Sequence, residues 1–266
     1  MLIIENIVSF SIYFPLIALA IIQGITEWLP ISSSGILVFL EDLINLEDKN
    51  FNLLFNISVH AGSLVAIIFY FKKEIFNILK NLKLLQNIII ATIPVVFFGL
   101  TVKVLNLNIF LQDIKVVAFA TIFFSIILYL SDKTKVSQYY EQNISNKNAL
   151  YIGLAQVLAL IPGTSRSGIT ITCARYLGYS RTHAAKFSFI ISIPVLLAAT
   201  TLGAGESIIN FDSKIINILL VGFSFSLIAS LLSIKVFLSF VEKNNLTLFV
   251  VLRLILGAGL LFYSFS

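Results

Sequence analysis

The stretch Gln23-Gly24-Ile25-Thr26-Glu27-Trp28-Leu29-Pro30-Ile31-Ser32-Ser33-Ser34-Gly35 interrupts an apolar region that otherwise runs from residue 7 to residue 46. It places a carboxylate, an amide, three hydroxyls and a proline where lipid would be expected. Each half of the region reads as too short to cross a bilayer, which takes about 20 apolar residues. Irregular backbone at membrane depth is tolerated only where protein or a polar cavity surrounds it. The region therefore predicts a re-entrant helical hairpin with its tip at a site. Residues 149–178 are broken in the same way by Ile161-Pro162-Gly163-Thr164-Ser165-Arg166-Ser167-Gly168.

The rest of the chain fits this reading. Of its 266 residues, 58% are hydrophobic and 12% charged, and the mean hydropathy is +0.99. A soluble domain carries about 25% charged residues, so a soluble fold is excluded. Continuous apolar runs at about 53–71, 85–104, 115–131, 184–205, 214–236 and 246–265 predict six spanning helices. The expected fold is all-α: a polytopic integral membrane protein forming one membrane domain over residues 1–266. The opening MLIIENIVSF has no basic region of the kind that begins a cleaved leader, so the first helix is expected to stay. Cys173 is the single cysteine and has no second cysteine for a disulfide or a metal site. The net charge of +5 does not point to nucleic acid, because the lysines flank apolar segments.

Sliding the chain on itself by 133 residues puts Gln23 on Gln156, Ser32 on Ser165, Ser34 on Ser167, Gly35 on Gly168 and Ile36 on Ile169. Each half then holds one hairpin and three spans. An odd number of crossings makes the second half enter from the opposite side, an inverted repeat of residues 1–131 and 132–266. In the drawing that puts Lys72, Lys73, Lys80 and Lys83 inside, twelve basic residues lie inside and four (Lys49, Lys103, Lys115, Lys214) outside, with Arg166 and Arg253 set aside as buried in segments. The positive-inside rule is met, and the first hairpin opens to the extracytoplasmic side.

The tips carry the chemistry. Gln23 and Glu27, four apart, share one helix face, and Pro30 ends that helix. Ser32, Ser33 and Ser34 then start the next half-helix, where hydroxyls cap free N–H groups and the dipole favours an anion. In the second tip a guanidinium, Arg166, joins the hydroxyls and presents paired donors that match phosphate. Glu27 would repel a bare phosphate unless it holds a cation or handles a proton; Mg²⁺ bridging a carboxylate and substrate phosphates removes the conflict. Bland roles stand beside these: the serines as simple caps, Arg166 as a structural partner of Glu27. His60, in FNISVHAGSLVAIIFYF, reads equally as a histidine bonded to a neighbouring helix or as a proton-transfer residue. Arg175, Arg181 and His183 read as interfacial anchors, and the 24 phenylalanines as packing and lipid-facing residues.

QGITEWLPISSSG and PGTSRSG together resemble the two signature motifs of the bacitracin-resistance type undecaprenyl-diphosphate phosphatases. FNISVHAGSLVAIIFYF and AAKFSFIISIPVLLAAT resemble further family segments in the same order. The resemblance implies a bacterial plasma (inner) membrane phosphatase that converts undecaprenyl diphosphate to the monophosphate carrier of peptidoglycan synthesis and confers bacitracin resistance. It also implies stimulation by a divalent metal, Mg²⁺ or Ca²⁺, with membrane lipid and a lipid diphosphate as partners. Carried over by position, Glu27, Ser33 and Arg166 are catalytic, with Ser33 the candidate nucleophile beside water, Glu27 a base or a metal ligand, and Arg166 the phosphate ligand. Gln23, Ser32, Ser34, Gly35, Thr164, Ser165, Ser167 and Gly168 support substrate binding, and Gln23 and Glu27 are the metal candidates. Two positions depart from the family pattern: Gln23 stands where glutamate is common, and Ile36 where histidine is frequent. A lipid-phosphate transporter or flippase, built on the same inverted repeats, is the alternative.

Overall fold

A computed structural model of the chain describes residues 2–33, 35–36, 49–105, 111–137, 144–206 and 213–265. The described chain forms ten α-helices: α1 Leu2–Thr26, α2 Lys49–Tyr70, α3 Lys72–Lys80, α4 Leu82–Val104, α5 Ile114–Asp132, α6 Asn146–Val157, α7 Arg166–Tyr176, α8 Arg181–Glu206, α9 Ser213–Lys243 and α10 Thr247–Tyr263. Six of them, α2, α4, α5, α8, α9 and α10, carry stretches long and apolar enough to cross a membrane. They coincide with the six continuous apolar runs. The helix α9 continues past residue 236 to Lys243 because no glycine or proline intervenes. The lysine-rich segment after α2 folds into the short helix α3, and Asn81 then caps α4 by accepting from Leu84 N at 3.2 Å.

The first broken region has one long arm. The helix α1 has 25 residues, about 37 Å at 1.5 Å per residue, and its stretch Phe14–Thr26 is apolar but shorter than a span. Pro15 lies within it without ending it, as neighbouring helices permit in membranes. The break falls where Pro30 requires it: α1 stops at Thr26, residues 27–31 turn, and helix resumes at Ser33. In the second region both arms are short, 12 residues in α6 and 11 in α7, joined by a 3₁₀ turn at Leu158–Leu160 and the Pro162-Gly163 turn.

Small residues let the arms dock. The helix α1 packs on α9, and α6 packs on α4. A Cβ on Gly24 would lie 2.5 Å from Ser226 O of α9, and one on Gly153 would lie 2.6 Å from Ala91 O of α4. Hydroxyls join the same surfaces, as is usual between membrane helices: Ser63 meets Ser230 at 2.9 Å, Ser230 donates to Gly24 O at 3.1 Å, and Ser233 donates to Ile25 O at 2.8 Å. Trp28, wholly buried in the first tip, fixes that tip in the main core through an edge-on contact with Phe189 at 5.2 Å; the aromatic series continues to Phe237 and Phe249. Phe97, Phe119, Phe123 and Phe262 are exposed on the outside.

Arg175 is buried, and three carbonyls take its guanidinium: Tyr179 O at 2.6 Å, Thr134 O at 2.7 Å and Asp132 O at 3.0 Å. Arg181 pairs with both oxygens of Asp132, at 2.6 and 3.1 Å.

Candidate active site

Glu27 stands at the end of α1 where the backbone turns, and both tips reach it. Its Oε2 accepts from Gln23 Nε2 at 2.8 Å and from Ser33 Oγ at 3.1 Å. Its Oε1 accepts from Arg166 Nη2 at 2.6 Å. The carboxylate is 8% exposed and the Arg166 side chain 12%, so an ion pair from two different tips sits inside the protein. The Arg166 guanidinium also lies 5.7 Å from the Trp28 ring, a cation–π approach that favours arginine over lysine.

The helix α2 brings His60 to the same place, which sequence alone left open. His60 Nδ1 lies 2.7 Å from Asn56 O, its natural acceptor, which leaves Nε2 to accept from Gln23 Nε2 at 3.0 Å. The same Nε2 is 3.8 Å from Glu27 Oε2. Ile36 packs against the main core.

The two tips use one local device. Ser32 and Ser165 are the described non-glycine residues with positive φ, at +106° and +66°, a backbone region that L side chains adopt rarely and that clusters at functional sites. Each caps the half-helix after it: Ser32 Oγ accepts from Gly35 N at 3.3 Å, and Ser165 Oγ from Gly168 N at 3.2 Å. Ser167 Oγ donates to Leu29 O at 2.9 Å and thereby ties the second tip to the first. Of the expected substrate ligands, Ser34 lies outside the described residues.

Arg253, which no motif marks, also reaches both tips. It belongs to α10, is wholly buried, and donates through Nη2 to Gly163 O and Thr164 O, both at 2.9 Å, with Nη1 3.4 Å from Pro30 O. One guanidinium thus fastens both tips. The signal was present in FVVLRLILGAGL, since an arginine amid a span marks function by default.

Several buried polar atoms here make no hydrogen bond among the described residues: Arg166 Nη1, Thr164 Oγ1 and Gln23 Oε1. Buried polar groups are nearly always paired, so these are donors and acceptors suited to a polar ligand. No group of three or more His, Cys, Asp or Glu gathers among the described residues. Among the described residues, Glu27 and the Gln23 amide oxygen are the candidate ligands for a cation. That suits Mg²⁺, which binds through one or two protein oxygens plus water and substrate phosphates, better than a dedicated protein cage.

An all-α chain with six apolar spans, in which two helical breaks bring a carboxylate, a serine and an arginine together, defines a polytopic membrane protein with a buried polar centre. The family model for the bacitracin resistance protein BacA matches residues 16–259, and the chain belongs to that family. It is 40% identical over 249 residues to the undecaprenyl-diphosphatase of Pelagibacter ubique, covering 93% of this chain and 96% of that protein. It is 42% identical over 260 residues to the undecaprenyl-diphosphatase of Campylobacter curvus, covering 93% of this chain and 97% of that one.

Proposed function

We propose that this protein hydrolyses undecaprenyl diphosphate to undecaprenyl phosphate and inorganic phosphate at the Glu27–Ser33–Arg166 centre, recycling the lipid carrier for peptidoglycan synthesis and conferring bacitracin resistance. The observation that carries the reading is the pairing of Ser33 Oγ and Arg166 Nη2 with the two oxygens of one buried carboxylate. A transporter needs an anion seat, but it has no use for a hydroxyl aimed at a proton acceptor.

In this reading Arg166 turns its free Nη1, with Thr164 Oγ1, toward the diphosphate. Ser33 Oγ passes its proton to Glu27 Oε2 and attacks the terminal phosphorus. The bond to the bridging oxygen breaks, and undecaprenyl phosphate leaves. Water then cleaves the phosphoserine and releases phosphate. Gln23, oriented by His60, holds Glu27 in place, and His60 is the nearest group to which a proton on Glu27 would pass. Ser32, Ser165 and Ser167 keep the two half-helix starts and their caps in position. Gln23 and Glu27 would hold Mg²⁺, or Ca²⁺ in its stead; when bound, the ion would offset charge on phosphate oxygens.

The hairpins read as re-entrant and the halves as an inverted repeat. Support comes from the packing: under the shift of 133 residues, α5 maps onto α10 and α2 onto α8, and the docking of α1 on α9 becomes that of α6 on α4. The lysine distribution supports the same reading, a plasma-membrane protein with the site open to the extracytoplasmic side. Phosphate release from undecaprenyl diphosphate by purified protein in detergent micelles, where no second compartment exists, tests the reading. Transport in vesicles without phosphate release would replace it by the flippase alternative.

A further inference from the structure

The helix α7 begins at Arg166 and ends in a second charged cluster that the active site does not use. A cavity of about 560 Å³ opens there, lined by Tyr129, Asp132, Lys133, Thr134, Arg175 and Arg181 among others. Three cations face one carboxylate. Asp132 is fully engaged, taking Arg181 through both oxygens and Leu246 N at 2.9 Å. Arg175 lies 3.6 Å from Asp132 through Nε, an atom with no hydrogen bond among the described residues, and its other nitrogens meet only carbonyls. Lys133 is exposed, with its ammonium 4.2 Å from the Tyr129 ring and no carboxylate within salt-bridge reach among the described residues. Carbonyls orient a guanidinium without cancelling its charge, so the described lining keeps a positive excess.

The surface that leads to this cavity is apolar. On α5, Phe119, Phe123, Ile126 and Leu130 are all exposed. Their spacing of four, three and four places them on one face, and Lys133, the helical C-cap residue of α5, continues that face one step further. A stripe of lipid-facing side chains thus ends in a cation beside a cationic cavity. The lysine count assigns this end to the cytoplasmic side, where anionic lipids collect at basic pockets between helices.

We propose that the cavity seats the phosphate headgroup of an anionic phospholipid, held by Lys133, Arg175 and Arg181, with its acyl chains along the α5 stripe. The lipid is bound and not turned over. The site is separate from the Glu27 centre, and the assignment does not depend on the activity proposed above.

The test uses the full chain in phosphatidylcholine nanodiscs titrated with phosphatidylglycerol, with thermal midpoint and native mass spectrometry of retained lipid as readouts. Phosphatidylglycerol is expected to raise the midpoint and to be retained. Lys133→Glu is expected to weaken its binding on the order of tenfold, while Lys115→Glu, at the far end of α5, does not. Lys133→Gln, which introduces no repulsion, serves if the glutamate variant misfolds; it is expected to show a smaller loss in the same direction. No preference for phosphatidylglycerol over phosphatidylcholine, or equal retention by wild type and both Lys133 variants, overturns the proposal. Stabilisation by inorganic phosphate with none from phosphatidylglycerol overturns the lipid as occupant.

Discussion

Ser33 and Arg166 occupy positions 133 residues apart, one in each tip, and they bind opposite oxygens of the same Glu27 carboxylate. The two halves have the same capped half-helix start, so one fold position supplies a hydroxyl from one side and a guanidinium from the other. In the mechanism proposed above, this asymmetry sets the attacking hydroxyl and the anion ligand across one proton acceptor.

The first prediction separates the attacking species. Ser33→Ala abolishes phosphate release if serine attacks. If water attacks, the substitution removes one hydrogen bond to Glu27, a loss of about 1–3 kcal/mol and so roughly ten- to a hundredfold in rate. Single-turnover phosphate release, with trapping of a phosphorylated protein in wild type, distinguishes the two outcomes.

Arg166→Lys keeps the charge and loses the planar fork, so Nη1 and Nη2 no longer serve substrate and Glu27 together. Phosphate release is expected to fall by at least two orders of magnitude, with the thermal midpoint nearly kept. Arg166→Met leaves the carboxylate buried without its cation, which costs about 3–5 kcal/mol, and a thermal melt in detergent reads that cost.

Arg253→Leu removes the donations to Gly163 O and Thr164 O that fasten the second tip, at about 1–3 kcal/mol for a buried group left unsatisfied. Loss of stability together with activity is expected. Arg253→Lys, which reaches fewer of the carbonyls, should fall between wild type and Arg253→Leu in both measurements.

Gly153→Val places a branched side chain where a single Cβ already lies 2.6 Å from Ala91 O. The arm α6 cannot dock on α4 without a backbone shift, so Gly153→Val should lower the thermal midpoint and displace the second tip. A Gln156→Cys label would report that displacement as increased reactivity in the Gly153→Val background.

Much of this architecture is legible in the chain because lipid imposes strict length and polarity rules. Six runs of apolar residues have no soluble interpretation, and polar tips such as GITEWLPISSSG have no lipid-facing one. What the sequence left open depends on contacts between distant segments. The 25-residue length of α1 was hidden by Pro15 and by the polar residues near the start. His60 lies 37 residues from Gln23, and nothing local says that α2 will bring it to the tip. The partners of Arg253 and Arg175 are carbonyls, which every residue carries and no motif announces.

The last prediction concerns Gln23, the position where the chain departs from the glutamate common in the family. Gln23 Nε2 now donates to Glu27 Oε2 at 2.8 Å. In Gln23→Glu that donor becomes an oxygen, and two buried carboxylates would face each other at hydrogen-bond distance. Such a pair cannot hold both charges unless a proton or a cation lies between them. Gln23→Glu is therefore expected to bind Mg²⁺ more tightly and to depend on it more steeply, with a lower thermal midpoint after chelation that added metal restores. Metal titration of phosphate release and of the thermal midpoint, on chelator-treated wild type and variant, reads both effects. If the variant gains no metal affinity and is instead stabilised by lowering pH, a shared proton holds the pair, and Glu27 keeps its place as the proton acceptor of Ser33 without serving as a metal ligand.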